Sequence, residues 1–181
     1  MNRLLLIIDP QMDFISGTLP VPEAVSSMEA LARYIHASNG QYTAKAITMD
    51  WHPYDHCSFC DQGGPWPRHC VQHSVGAAIY PALLEALYST HGPLHLLQKG
   101  NSPEREEYSI FRNASSAALL QRLLEEEAIE QIDLCGIAGD ICVLETLKDG
   151  VEWYGRALFH LLPAYTPSLD GGKALSAYLM Q

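Results

Sequence analysis

A chain of 181 residues, 48% of them apolar and with a formal charge of -10, is long enough for one domain around one substantial core and too short for two. The acidic balance and the lack of a Lys/Arg cluster exclude nucleic acid as a partner, and no apolar run approaches the ~18 residues that would cross a membrane. A single domain over residues 1–181, acting on a small and nearly neutral ligand, is what these numbers leave.

The apolar run that opens the chain is closed at once by Asp9, which is too soon for a secretion signal, so residues 3–8 read as a buried strand. Residues 44–49, 93–98, 131–137 and 156–162 are equally short and apolar, as expected of parallel strands covered on both faces. Between them, residues 22–37 set Val25, Met28, Leu31, Ala32 and Ile35 at helical spacing, and residues 115–127 do so with Ala118, Leu119, Leu123 and Leu124. Asn113 or Ser115 is a candidate cap for the second of these helices. Alternating strands and helices predict a three-layer α/β/α, doubly wound, mostly parallel sheet, with its ligand at the carboxyl ends of the strands. Residues 51–80 break the rhythm. They are rich in His, Cys, Pro, Gly and Trp without periodicity, and a loop of that length in a compact domain is usually functional.

Each expected strand end carries chemistry: Asp9 after the first, Asp50 after the second, Lys99 after the third, and GIAGDIC leading out of the fourth. Singly, each has a bland reading as a turn cap, a solvated charge or a small core thiol. Together they describe a nucleophile site. Cys142 at a helix start beside Lys99 predicts a thiol with a lowered pKa, Asp9 a proton acceptor and donor, and the N–H groups of Ala138 and Cys142 an oxyanion hole.

The stretch DWHPYDHC brings Asp50, His52 and His56 close together in sequence, and His69 follows after WPR. Carboxylate and imidazole donors without thiolates suit one divalent transition ion with open positions, zinc first, with iron and manganese as the other candidates. Of the remaining cysteines, Cys135 falls inside a strand, Cys57 and Cys60 form a lone C-x2-C pair, and Cys70 adjoins His69. An odd count of five with no export signal makes the cytoplasm the expected compartment.

Taken in order, LLLIIDPQMDF, TMDWHPYDHCSF, WPRHCVQHSVGA, LQKG and GIAGDICVLET resemble the nicotinamidase (pyrazinamidase) branch of the isochorismatase-like cysteine hydrolases, over about residues 4 to 150. The resemblance implies an isochorismatase-like hydrolase fold and a catalytic triad of Asp9, Lys99 and Cys142. It also implies a metal held by Asp50, His52, His56 and His69, and a cis peptide between Ile137 and Ala138. A substrate ring would lie between Phe14 and Trp66, with Tyr108 and Ile137 also at the pocket. The implied reaction converts nicotinamide, and pyrazinamide with it, to the acid and ammonia through a Cys thioester. Gly139 departs from the family's usual Thr, His73 stands where Gly is frequent, and LLPAYTPSLDGG is less typical, which leaves the far rim of the pocket and any homo-oligomer contact open. The alternatives are another isochorismatase-like hydrolase acting on a different small amide, or a non-catalytic sensor using Cys57, Cys60 and Cys70.

Overall fold

In the computed structural model, which describes residues 1–181, five parallel strands form one sheet: β1 (Arg3–Ile8), β2 (Ala44–Asp50), β3 (Leu94–Lys99), β4 (Gln131–Gly136) and β5 (Phe159–Leu161). Their spatial order is β3-β2-β1-β4-β5. The order reverses between β1 and β4, so the crevice of a doubly wound sheet opens above Asp9 and the residues that follow Gly136.

Strand alternation divides the apolar residues into two cores. Leu5 and Ile7 face one layer with Met28, Leu31 and Ile35 of α2 (Ala24–Ala37) and Leu83 and Leu87 of α3 (Pro81–Ser89). Leu4, Leu6 and Ile8 face the other, with Leu120, Leu123 and Leu124 of α4 (Ala114–Glu126), Leu144 and Leu147 of α5 (Leu144–Tyr154), and Leu175 of α6 (Lys173–Leu179). The short α1 (Met12–Ile15) follows β1 directly. No helix is long and apolar enough to cross a membrane.

The register sets the site. Asp50 lies opposite Lys99 across β2 and β3, and Ile8 lies opposite Gly136 across β1 and β4. Gly136 has φ +117, and a Cβ there would stand 2.2 Å from Ile8 O, so only glycine allows β4 to leave the sheet beside Asp9.

The helical faces differ from expectation in part. Val25 is 43% exposed, because the buried stripe of α2 runs through Ala24, Met28, Leu31, Ala32 and Ile35 and leaves Val25 beside it. On α4, Ala118 and Leu119 face solvent while Ala117 and Leu120 are buried, a rotation of the apolar stripe by about one residue. Asn113, rather than Ser115, caps that helix by accepting from Ser116 N–H. At β5, Gly155 with φ +85 turns the chain and residues 156–158 form a short 3-10 turn, leaving three strand residues where seven were expected.

Candidate active site

Asp9, Lys99 and Cys142 meet at the strand ends, fully buried except for 5% of Cys142. Lys99 Nζ lies 2.8 Å from Asp9 Oδ2, 2.5 Å from Asp50 Oδ1 and 3.5 Å from Cys142 Sγ. One ammonium thus answers two carboxylates and a sulfur. Burial works to neutralise Lys99, yet Asp50 and Asp9 beside it raise its pKa well above the ordinary lysine value. Asp9 adopts φ +45, a strained backbone for a non-glycine residue, and holds it with N–H donation to Thr48 O. Its Oδ2 accepts no hydrogen bond of good geometry despite the nearby ammonium.

The protonation pattern differs from that predicted. Cys142 sits inside a π-helical turn, Gly139–Val143, ahead of α5, and not at an open α-helix start. Burial pushes its thiol well above the ordinary value, Lys99 pulls the other way, and Asp9 and Asp50 add to the rise. Burial also lifts the Asp9 carboxyl from 3.8 to about 6, against the pull of Lys99. The thiol therefore does not ionise unaided and needs a base, for which the Asp9 carboxylate is placed, to become a nucleophile.

The peptide joining Ile137 to Ala138 is cis. The N–H of Ala138 has no acceptor within the chain, while Ala138 O receives Ile141 and Val143 N–H and so shapes the turn around Cys142.

The long loop brings three imidazoles together. His52 and His56 stack with centroids 3.9 Å apart, and His69 meets His52 edge-on at 5.0 Å. Asp50, His52 and His69 offer ligand atoms within 4.8 Å of one another, all buried. His52 Nδ1 pairs with Gly100 O at 2.9 Å and His69 Nδ1 with Pro67 O at 2.7 Å, which makes each Nδ1 the N–H donor and leaves each Nε2 with its lone pair. His52 Nε2 is buried without a hydrogen-bond partner. Burial lowers the pKa of His69, favouring the neutral form that ligates. Burial works to raise the Asp50 carboxyl, but the Lys99 ammonium holds it well below the usual range. An orphaned ring nitrogen, a second free imidazole nitrogen and an ionised carboxylate fit a divalent transition ion. His56 stands apart from Asp50 and His69. Its Nδ1 accepts from Ser58 N–H and its Nε2 turns to Arg105 O at 3.1 Å, and it groups instead with His52 and Glu106.

Above Cys142 lies a narrow pocket whose walls include Phe14, Trp66, Tyr108 and Ala138. Trp66 Nε1 donates to Tyr108 Oη at 3.0 Å and Phe14 packs against His69 at 5.4 Å, so the aromatic walls are tied to each other and to the imidazoles. Ile137 does not line this pocket. It continues the face of Cys135 two residues earlier and is fully buried in the α2/α3 core, as strand alternation requires.

Several supporting residues were not singled out from sequence. Gln11 clamps Asp50 by donating to its carbonyl and accepting its N–H, both at 2.8 Å. Asp13 accepts from Cys70 N–H and Thr18 N–H, pinning the loop beside His69. Both lie inside the quoted PQMDF motif, which was the available signal. Glu107, fully buried, accepts from Gly100 N–H and Asn113 Nδ2 and so fixes the carbonyl that orients His52. Glu106 and Leu169 also line the pocket, and no spacing marks them out among neighbouring polar residues.

The isochorismatase domain family matches residues 3–152. The nicotinamidase of Escherichia coli (strain K12) is 31% identical over 168 residues, covering 83% of this chain and 76% of that protein. The nicotinamidase/pyrazinamidase of Mycobacterium tuberculosis is 32% identical over 155 residues, covering 83% and 79%. Among solved structures, the pyrazinamidase of Pyrococcus horikoshii in complex with zinc superposes with a TM-score of 0.81 at 29% identity, covering 99% of this chain and 96% of the other. PnC1 from L. infantum in complex with nicotinate gives 0.82 at 31% identity, covering 99% and 87%.

Proposed function

Because this chain belongs to the isochorismatase domain family, we propose that it is a metal-dependent cysteine amidohydrolase that converts nicotinamide to nicotinate and ammonia, and accepts pyrazinamide in the same way. The single observation that carries this reading is Lys99 Nζ within 3.5 Å of both Asp9 and Cys142, at the floor of a pocket walled by aromatic rings and bordered by imidazoles.

The ring enters between Phe14 and Trp66 with its carboxamide over Cys142. Asp9 takes the thiol proton, and the thiolate so formed is held by the Lys99 ammonium in a site too buried for water to stabilise it. Sulfur adds to the carbonyl carbon, and the negative charge that develops on oxygen is received by the N–H groups of Ala138 and Cys142. Asp9 returns its proton to the amine, the C–N bond breaks and ammonia leaves a thioester. Asp9 then removes a proton from water, which attacks the thioester and expels the Cys142 thiolate. Lys99 stays charged throughout, since loss of its proton would leave Asp50 unpaired in a dry site.

Asp50, His52 and His69, with His56 and Glu106 beside them, would hold the ion, which we take to be zinc in line with the Pyrococcus horikoshii pyrazinamidase complex. When bound it supplies a Lewis-acidic contact for a heteroaromatic ring nitrogen and so orients the ring. Gly100, with φ +63, leaves room for this arrangement, because a Cβ there would stand 2.5 Å from His52 Cε1.

The test is ammonia release from nicotinamide by the purified, metal-loaded protein. Absence of release above the Cys142→Ala background would overturn the reading.

A further inference from the structure

A second and larger cavity, of about 740 Å³, lies between the start of α2 and α6 and contains no member of the triad. Its lining shares one residue with the ring pocket, Leu169. Leu169, 38% exposed, therefore stands between the two spaces and borders both.

What holds Leu169 in place is the turn that carries the oxyanion donors. The Asp140 carboxylate accepts from Leu169 N–H at 2.9 Å and from Asp170 N–H at 3.1 Å. Gly139 N–H donates to Pro167 O at 2.8 Å. The space a side chain on residue 139 would need is taken by this strap, with Ser168 Oγ only 2.2 Å from an ideal Cβ position. Ser168 is buried and its hydroxyl unpartnered; it packs against Gly139 and borders the second cavity but not the ring pocket. The strap from Thr166 to Asp170 is thereby fastened to the turn at three hydrogen bonds and one close approach.

We infer that Leu169 is a specificity-determining residue: its side chain partitions the ring pocket from the neighbouring groove and limits the substrate to an aromatic carboxamide whose ring carries no extension on that side. Asp140 is a positioning residue that acts through Leu169. The inference rests on the amidase reading given above and identifies the substrate class within it. Removing the partition joins the pocket to a groove bordered by the hydroxyl-bearing residues Thr166 and Ser176, which admits alkylated rings. Differences of a few methylene groups in an apolar pocket change selectivity by about 10-fold or more.

The experiment measures kcat/KM for nicotinamide and for its 5- and 6-isopropyl derivatives in wild type, Leu169→Ala, Leu169→Phe and Asp140→Ala. Leu169→Ala should raise the ratio of the better isopropyl substrate to nicotinamide at least 10-fold, and Leu169→Phe should lower it. Asp140→Ala should shift the ratio in the same direction as Leu169→Ala, and the double variant should exceed Leu169→Ala by no more than twofold. A ratio unchanged within twofold in Leu169→Ala overturns the inference. Calorimetric affinities for nicotinate and the isopropyl acids, measured in a Cys142→Ala background, separate the two readings. If wild type releases no ammonia, the amidase reading falls, and the affinity ratio, shifted or unshifted by Leu169→Ala, still supports or overturns the partition. Should Leu169→Ala fail to fold by circular dichroism, Leu169→Val and Leu169→Phe decide the matter by the same ratios.

Discussion

Thr48 Oγ1, on β2, donates a 2.6 Å hydrogen bond to Oδ1 of Asp9, which directly follows the neighbouring β1. That bond favours the ionised carboxylate, while burial opposes it and lifts the group to about 6. The acid limb of kcat/KM should therefore fall near pH 6, because the thiol proton can be taken only by ionised Asp9. Thr48→Val removes the donor and should move the limb upward by roughly one pH unit, the equivalent of one hydrogen bond of about 1 kcal/mol. A limb below pH 4.5, or one that ignores Thr48→Val, would remove Asp9 from the role of base. The same shift acts on stability. Folded Asp9 binds its proton more tightly than the unfolded chain does, so its contribution favours folding below the unfolded value of 3.8 and is lost as pH rises through about 6.

Cys142→Ala should abolish ammonia release, a loss of at least about 1,000-fold, because no other nucleophile lies beside Asp9 and Lys99. The change deletes one buried sulfur, so the thermal midpoint should move by only a few degrees. Intact-mass measurement of the wild type under turnover should show an adduct of the acyl group that Cys142→Ala lacks. Residual turnover in the variant would displace the nucleophile to another group.

Chelation should remove most of the activity, and added divalent metal should restore it. Gly100→Ala offers a cleaner test of the imidazole cluster. The new Cβ would meet His52 Nδ1 at 2.7 Å on a backbone with φ +63, so both ring and loop must move. Metal affinity, read by competition with a chromophoric chelator, should fall at least about 10-fold. Unchanged affinity would place the ion elsewhere.

Gly139→Ala should destabilise the fold by roughly 1–3 kcal/mol, the range for overpacking a tight interior. The closest atom is Ser168 Oγ, with Thr166 Cγ2 at 2.9 Å and Thr166 O at 3.0 Å beyond it, so Ser168→Ala in the same chain should recover part of the loss. Denaturant melts of the two single variants and the double provide the coupling. Additive effects would show that residues 139 and 168 do not meet.

Much of this architecture was legible because the strands are short apolar runs ending in ionisable residues: Asp9, Asp50 and Lys99 fall within one residue of a strand end in sequence and in space. What sequence misplaced has physical causes. A stripe on a half-buried helix shifts by one residue at little energetic cost, which moved Ala118 and Leu119 to the solvent side. Ile137 follows strand alternation into the core although its neighbour Ala138 lines the pocket. Glu106 and Leu169 reach the pocket from irregular segments whose paths are set by distant partners, Arg105 O at His56 in one case and Asp140 in the other, and periodicity carries no trace of such contacts. The raised thiol pKa was hidden for a similar reason, since helix position is local but desolvation depends on everything packed around the sulfur.

The family match ends at residue 152, whereas the acceptor of Gly139 N–H and the apolar wall beyond it belong to residues 166–170. The reacting groups and most of the pocket wall thus lie in one stretch of the chain, and the brace behind the Gly139 turn in another. The same division means that a ribosome has already delivered every reacting side chain before the piece that braces the turn emerges.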